Sequence, residues 1–295
     1  MQPEKGTIVG VGGLRLRYWH WPAAEAPRAI LVVLHGIAVH ARLYTELAET
    51  ATERGYAVFA LDHRGHGESE GERVQVGRFS DFVDDVHVLV QAARTTYPNL
   101  PVFLLGQSMG SLIALQYALR HQDELAGLIV AGVALQIGEH VSPWLKRVGR
   151  LIVAVAPSLR VVGVGPSQEP GALLSHDEEV TRRLVADPLC YQGKIKARIA
   201  YELGQAAAQA RARVAELTLP LLILHGEEDR LANPEGARLL YAQAGSADKT
   251  LKLWPGFWHE PLLETGRAEV VALLLSWLDE RVLMASALAS RATAT

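Results

Sequence analysis

The sequence predicts an α/β fold, a mostly parallel central sheet flanked by helices. Three observations carry that expectation. Short, β-branched apolar runs recur along the chain, and most are followed by a segment of helical periodicity. The runs are apolar at nearly every position instead of alternating, as strands covered on both faces are. Alternation of strand and helix then favours parallel pairing, because a parallel crossover needs a connection long enough to hold a helix.

The elements follow in order. Residues 7–11 and 14–19 flank Gly12-Gly13 and predict an antiparallel hairpin at the sheet edge. Residues 29–34, Ala-Ile-Leu-Val-Val-Leu, read as a fully buried strand, followed by a glycine-containing loop and a helix over about 42–54. Runs at 57–61, 102–105, 128–131, 221–224 and 250–254 continue the series, with helices near 235–243 and 268–283. Ser80 stands where an N-cap would, ahead of a helix over 81–96 whose Phe82, Val86, Leu89, Val90 and Ala93 form one apolar stripe; Pro98 closes it. Between Gln136 and Arg213 the rhythm breaks, and about 80 residues show helical patterns with no buried strand. Residues 285–295, small and polar, are expected to form a frayed, flexible tail.

Length and composition narrow the function classes. The 295 residues, 49% hydrophobic, suit either two domains or one large domain with an insertion. A net charge of −3 on 29 basic and 32 acidic residues offers no electrostatic footprint for nucleic acid. The one cysteine, Cys190, excludes an internal disulfide framework and fits a reducing compartment. Residues 1–6 show no basic region leading into an apolar stretch, so no signal peptide is expected and the location predicted is cytoplasmic. Apolar stretches at 125–135 and 148–165 are too short, or interrupted by Arg150, Pro157 and Arg160, to span a membrane.

The strongest local signal is Gly106-Gln-Ser-Met-Gly110, placed directly after the strand at 102–105 and before an apolar helix at 111–119. Small residues at both ends permit a sharp strand-to-helix turn that pushes the Ser108 hydroxyl outward. The helix N-terminus behind it favours developing negative charge. A serine hydroxyl is a weak nucleophile and needs a base, itself oriented by a carboxylate, downstream in the order acid then histidine. Asp229 lies just beyond the strand at 221–224, with Glu227 and Glu228 as competitors. His259 follows the last strand and is the sole histidine after Asp229. His225, at the end of its strand beside Gly226, reads as structural. The oxyanion requires two N–H donors: the Met109 amide after the nucleophile, and one from the loop 35–42, for which Ile37 after His35-Gly36 is chosen.

These residues, with His40, the run Asp62-His-Arg-Gly-His-Gly-Glu-Ser-Glu-Gly-Glu-Arg73 and Asp187-Pro188-Leu189, resemble the monoacylglycerol lipase family of α/β-hydrolases over about residues 5 to 280. The resemblance implies the α/β-hydrolase fold with an inserted helical cap, and gives Ser108, Asp229, His259, Ile37 and Met109 the same roles as the residues themselves did. There are departures. Gln107 replaces a histidine common in the family. Val39 and Leu43 align with an acidic residue and an arginine that organise the glycerol head group in the animal enzyme, which makes them candidate substrate-binding positions and loosens the expected head-group preference.

Ser108 precedes the irregular segment and Asp229 follows it, so one core of 1–135 and 214–284 would close around a cap of 136–213. Within that cap Trp144, Leu145, Val148, Leu151, Ile152 and Val155 share one helical face, and Lys146, Arg147 and Arg150 the other. The apolar face either packs on the domain or lines an acyl pocket, with Trp144 and Leu145 touching substrate, and meets a membrane surface transiently. Asp62, His63 and His66 lack a further clustered ligand, so no metal is expected, and the chemistry needs no cofactor. Cys190 has no activating partner in view. The function expected is a serine ester hydrolase acting on lipid-type acyl esters. Alternatives are a broad carboxylesterase, an acyltransferase or cofactor-free perhydrolase with the same triad, and a non-catalytic ligand-binding homologue.

Overall fold

Every side chain of β3 (Ala29–Leu34) and β4 (Tyr56–Leu61) is buried, which fixes these strands in the middle of the molecule. The computed structural model of the chain describes residues 2–137, 142–163 and 174–292, without the side chains of residues 143, 145, 146, 148 and 285–292. An eight-stranded sheet joins β1 (Glu4–Val9), β2 (Arg15–Trp21), β4, β3, β5 (Val102–Gln107), β6 (Gly127–Ala131), β9 (Leu221–Gly226) and β10 (Lys249–Trp254), in that spatial order. The β1–β2 and β2–β4 pairs are antiparallel and the others parallel, so the edge hairpin and the parallel core both follow the sequence reading.

Successive strand residues point to opposite faces, and both faces are apolar because both are covered. Ile30, Val32 and Leu34 of β3 pack toward α2 (Ser80–Thr96) and α3 (Met109–His121). Leu31 and Val33 pack toward α1 (Thr45–Glu53) and α8 (Arg267–Ala292). Strand order reverses between β3 and β5, since β4 lies on one side of β3 and β5 on the other. The loops that leave β3 and β5 therefore diverge, opening a crevice at the carboxyl ends of the strands, where open α/β sheets hold ligands.

The excursion between β6 and β9 contains α4 (Pro143–Val155), β7 (Arg160–Gly163), α5 (Glu178–Ala186), β8 (Lys194–Lys196) and α6 (Ala197–Arg213). The short antiparallel β7–β8 pair was not anticipated: β7 is solvent-exposed, and its Arg-Val-Val-Gly is too short for a period to register. Helix α6 buries Ile199, Leu203, Ala206, Ala207 and Ala210 in the same cluster as α3. After β9, α7 (Glu235–Gln243) leads to β10.

Two expectations are corrected. Ser80 is the first helical residue of α2 and Phe79 holds the cap position, with no side-chain capping bond. The helix begins one residue early because Phe79 already has helical φ and ψ, and Asp81 supplies the favourable first-turn charge. The tail expected from residue 285 is helical to Ala292, as α8 continues with good helix formers and neither glycine nor proline; residues 293–295 lie outside the described residues.

Candidate active site

Ser108 sits between β5 and α3 with φ 54° and ψ −117°, a conformation that L-residues with side chains rarely adopt. The flanking glycines make this turn possible. A Cβ on Gly106 would run into the Gly110 carbonyl, and one on Gly110 into the carbonyl of Leu34. The elbow is thus pressed against both its own helix and the end of β3.

His259 reaches Ser108 from the loop after β10. Its Nε2 lies 2.8 Å from Ser108 Oγ and its Nδ1 2.7 Å from Asp229 Oδ2. With Nδ1–H donating to the carboxylate, Nε2 is free to accept the serine proton. The other carboxylate oxygen, Asp229 Oδ1, accepts the backbone amides of Leu231 at 2.8 Å and Ala232 at 2.9 Å. Burial alone would push the Asp229 carboxyl up, but the facing His259 and the hydrogen bonds from His225 and His259 hold it well below the usual carboxylate range. Burial likewise opposes charge on His259, yet Asp229 outweighs it and the imidazole is more basic than usual.

The loop after β3 passes close to Ser108: a Cβ on Gly36 would stand 3.2 Å from Ser108 Cβ. His35 donates from Nδ1 to the Gly36 carbonyl at 2.6 Å, and its Nε2 accepts the His63 amide at 3.0 Å. Carbonyl and N–H of a trans peptide point in opposite directions, so anchoring the Gly36 oxygen aims the Ile37 N–H the other way. Ala38 follows at φ 68°, and its carbonyl accepts the Tyr191 amide of the excursion at 2.7 Å. Met109, the first residue of α3, presents its amide beside Ser108.

A cavity of about 310 Å³ opens on Ser108 and His259, within the size range of small-molecule sites. Its walls are mainly apolar: Ile37 and Val39 from the β3 loop, and Val162, Leu174, Ile195 and Leu203 from the excursion. Of the expected substrate-binding positions, Val39 lines it. Leu43 does not; it packs between the core and the small cluster of Val39, Leu184 and Cys190. Trp144 is 63% exposed and off the cavity wall, a correction with a clear cause. Among the described side chains of α4 Val153 is the buried one, and Trp144, Leu151 and Val155 of the predicted apolar stripe lie on the opposite, exposed side. The Leu145 side chain lies outside the described residues.

Three further residues stand at the site: His225, which the sequence reading took as structural, and Glu260 and Glu264, which it missed. His225 donates from Nε2 toward Asp229 Oδ2 at 3.0 Å. Glu260, next to His259 and on the cavity wall, is fully buried, and burial together with Asp229 pushes its carboxyl up to about 8. Glu264 accepts the Trp258 amide at 2.9 Å and the His176 amide at 3.1 Å, tying the His259 loop to the excursion. The only available signal was the acid-rich spacing after His259, which does not reveal burial.

Asp62 accepts the amides of Ala41 at 2.8 Å and Glu68 at 2.9 Å, bracing the β3 loop. Among the described residues its carboxylate, His63 and His66 do not form a group of converging ligand atoms. Cys190 is buried, and burial pushes its thiol up to about 12, which makes it a poor nucleophile. Among the described residues, no helix is long and apolar enough to cross a membrane.

Residues 25–266 match the family model described as serine aminopeptidase, S33. A monoacylglycerol lipase of Mycolicibacterium smegmatis is 38% identical over 275 residues, covering 92% of this chain and 95% of that one. The human monoglyceride lipase is 35% identical over 253 residues, 85% of this chain and 82% of its own. In fold, the chain is similar to a soluble variant of monoglyceride lipase from Saccharomyces cerevisiae in complex with a substrate analog, with a TM-score of 0.82, 23% identity, and 95% and 96% of the two chains covered.

Proposed function

The chain belongs to the serine aminopeptidase S33 family of α/β-hydrolases, with the monoacylglycerol lipases among its relatives, and from that premise we propose that it hydrolyses monoacylglycerols through an acyl-enzyme. It is a lipid ester hydrolase. The observation that carries the reading is the hydrogen-bonded chain Ser108–His259–Asp229 opening on an apolar cavity.

Ser108 Oγ attacks the ester carbonyl while His259 Nε2 takes its proton, and Asp229 holds the imidazole tautomer and stabilises its cation. The Ile37 and Met109 amides receive the developing oxyanion, helped by the α3 N-terminus. His259 returns the proton to the departing glycerol oxygen, and a water activated by the same imidazole releases the fatty acid. The order of segments supports a discontinuous core, 1–135 and 214–284, with 136–213 as its cap; in it α6 is the stem and the walls around Val162 and Ile195 form the roof of the acyl site.

The outward face of the cap supports transient contact with a lipid surface. Exposed Trp144, Leu151, Val155 and Leu159 stand near exposed Arg147, Arg150 and Arg160, apolar groups beside cations that suit anionic head groups. The free thiol of Cys190 fits a cytoplasmic setting.

Release of fatty acid from 1- and 2-monoacylglycerols of increasing chain length, beside lysophosphatidylcholine, tests the substrate. Monoacylglycerols turn over faster than the phospholipid, and Ser108→Ala lowers the rate by about 10³-fold or more. Preference for lysophosphatidylcholine would contradict the head-group assignment.

A further inference from the structure

We propose that His225 is a positioning residue for the acid–base pair, locking the Asp229 carboxylate in the orientation that His259 uses. The role presupposes the ester-hydrolase reading and adds a fourth side chain to it. His225 is the penultimate residue of β9, and its side chain is fully buried.

The hydrogen bonds around its ring determine the tautomer. Nδ1 lies 3.0 Å from the Val133 amide nitrogen and can only accept there, so it carries no proton. The ring proton therefore sits on Nε2, which lies 2.9 Å from the Ala232 carbonyl and 3.0 Å from Asp229 Oδ2. The donor lands on the same oxygen to which His259 Nδ1–H donates. Oδ1 is occupied by the Leu231 and Ala232 amides. All four contacts are satisfied only when the carboxylate lies in this plane, one oxygen toward His259 and His225 and the other toward the Leu231 and Ala232 amides; a half-turn merely exchanges two equivalent oxygens, and an intermediate rotation breaks several contacts at once.

The same ring, at the end of β9, joins segments that must keep register: the loop after β6 at Val133, and the acid loop at both Ala232 and Asp229. Next door, a Cβ on Gly226 would run into the carbonyls of Trp258 and Phe257, so the His259 loop lies directly over this strand end. A histidine kept only for core packing would be served by any carbonyl acceptor. Here its donor also reaches the catalytic carboxylate.

Two substitutions separate the two ends of the ring. His225→Asn keeps an acceptor near the Nδ1 position and withdraws the Nε2–H donor. His225→Gln extends an amide donor toward the Nε2 position and gives up the acceptor. On a monoacylglycerol or a p-nitrophenyl ester, the Asn variant loses kcat by about tenfold or more while KM stays within about twofold. Its acid limb of kcat/KM moves to higher pH, because an Asp229 relieved of one donor holds the His259 cation more tightly. The Gln variant recovers most of kcat. Glu260 also faces His259, so the comparison is repeated in Glu260→Gln, where the shift persists.

An Asn variant with wild-type kcat and an unmoved acid limb would overturn the role. So would Asn and Gln variants that lose activity and thermal stability in parallel while the acid limb stays put, the signature of packing alone. A wild-type chain that neither cleaves these esters nor is labelled at Ser108 by a fluorophosphonate would overturn the ester-hydrolase reading itself, and the role with it.

Discussion

His259 Nδ1 and Asp229 Oδ2 stand 2.7 Å apart, both buried, and each holds the other in its charged form. The base is active only when neutral. Because Asp229 raises the His259 pKa above its ordinary 6.5, kcat/KM rises with pH through a single ionisation lying above that value. Asp229→Asn removes the cause: the acid limb moves to lower pH, and kcat falls by about 10⁴-fold as the tautomer is no longer fixed. A pH–rate profile on a soluble p-nitrophenyl ester checks both. An acid limb that does not move in Asp229→Asn contradicts the pairing.

Three buried imidazoles, His35 at the start of the β3 loop with His63 and His66 against it, make the fold acid-sensitive. Burial lowers His35 and His66 to about 3 and His63 well below its ordinary value. The unfolded chain binds protons on these rings below about pH 6.5 and the folded chain does not, so stability is intact above that pH and lost as pH falls toward 3. At pH 5 each ring costs up to about 2 kcal/mol relative to neutral pH. Urea unfolding at pH 7.5, 6 and 5 should show a steep fall, smaller in His66→Gln. Equal stability at all three would contradict the buried neutral state.

Glu260 works in the opposite direction. Its carboxyl is neutral in the fold up to about pH 8 but ionises near 4.5 when exposed, so its contribution to stability is full below 4.5 and is lost as pH rises toward 8. Glu260→Gln therefore gains thermal stability over wild type at pH 8.5 and gains little at pH 4.5. The same increment at both would show that Glu260 is ionised in the fold.

Strand-end chemistry was legible in the chain because it is local. Ser108 is announced by the glycines that its turn requires, and Asp229 and His259 by their places after the last two parallel strands. Val39 on the cavity wall came from the family resemblance, which also offered Leu43, a residue off that wall. The partners of these residues were not legible: Glu264 and His225 reach the site through near neighbours, Trp258 and Asp229, but are held there by distant ones, His176 and Val133, so their burial depends on how the excursion and β6 pack over them. Periodicity likewise found the apolar stripe of α4 and could not say which side faces water. With Val153 buried, Trp144 points out.

The central claim is that Ser108 carries the acyl group of a lipid ester. Rapid-quench mass spectrometry of the full chain mixed with a monoacylglycerol tests it most directly. The account predicts a transient mass gain equal to the acyl group, confined to the peptide holding Ser108 and absent in Ser108→Ala. Turnover with no such adduct, or an adduct that survives in Ser108→Ala, would contradict it.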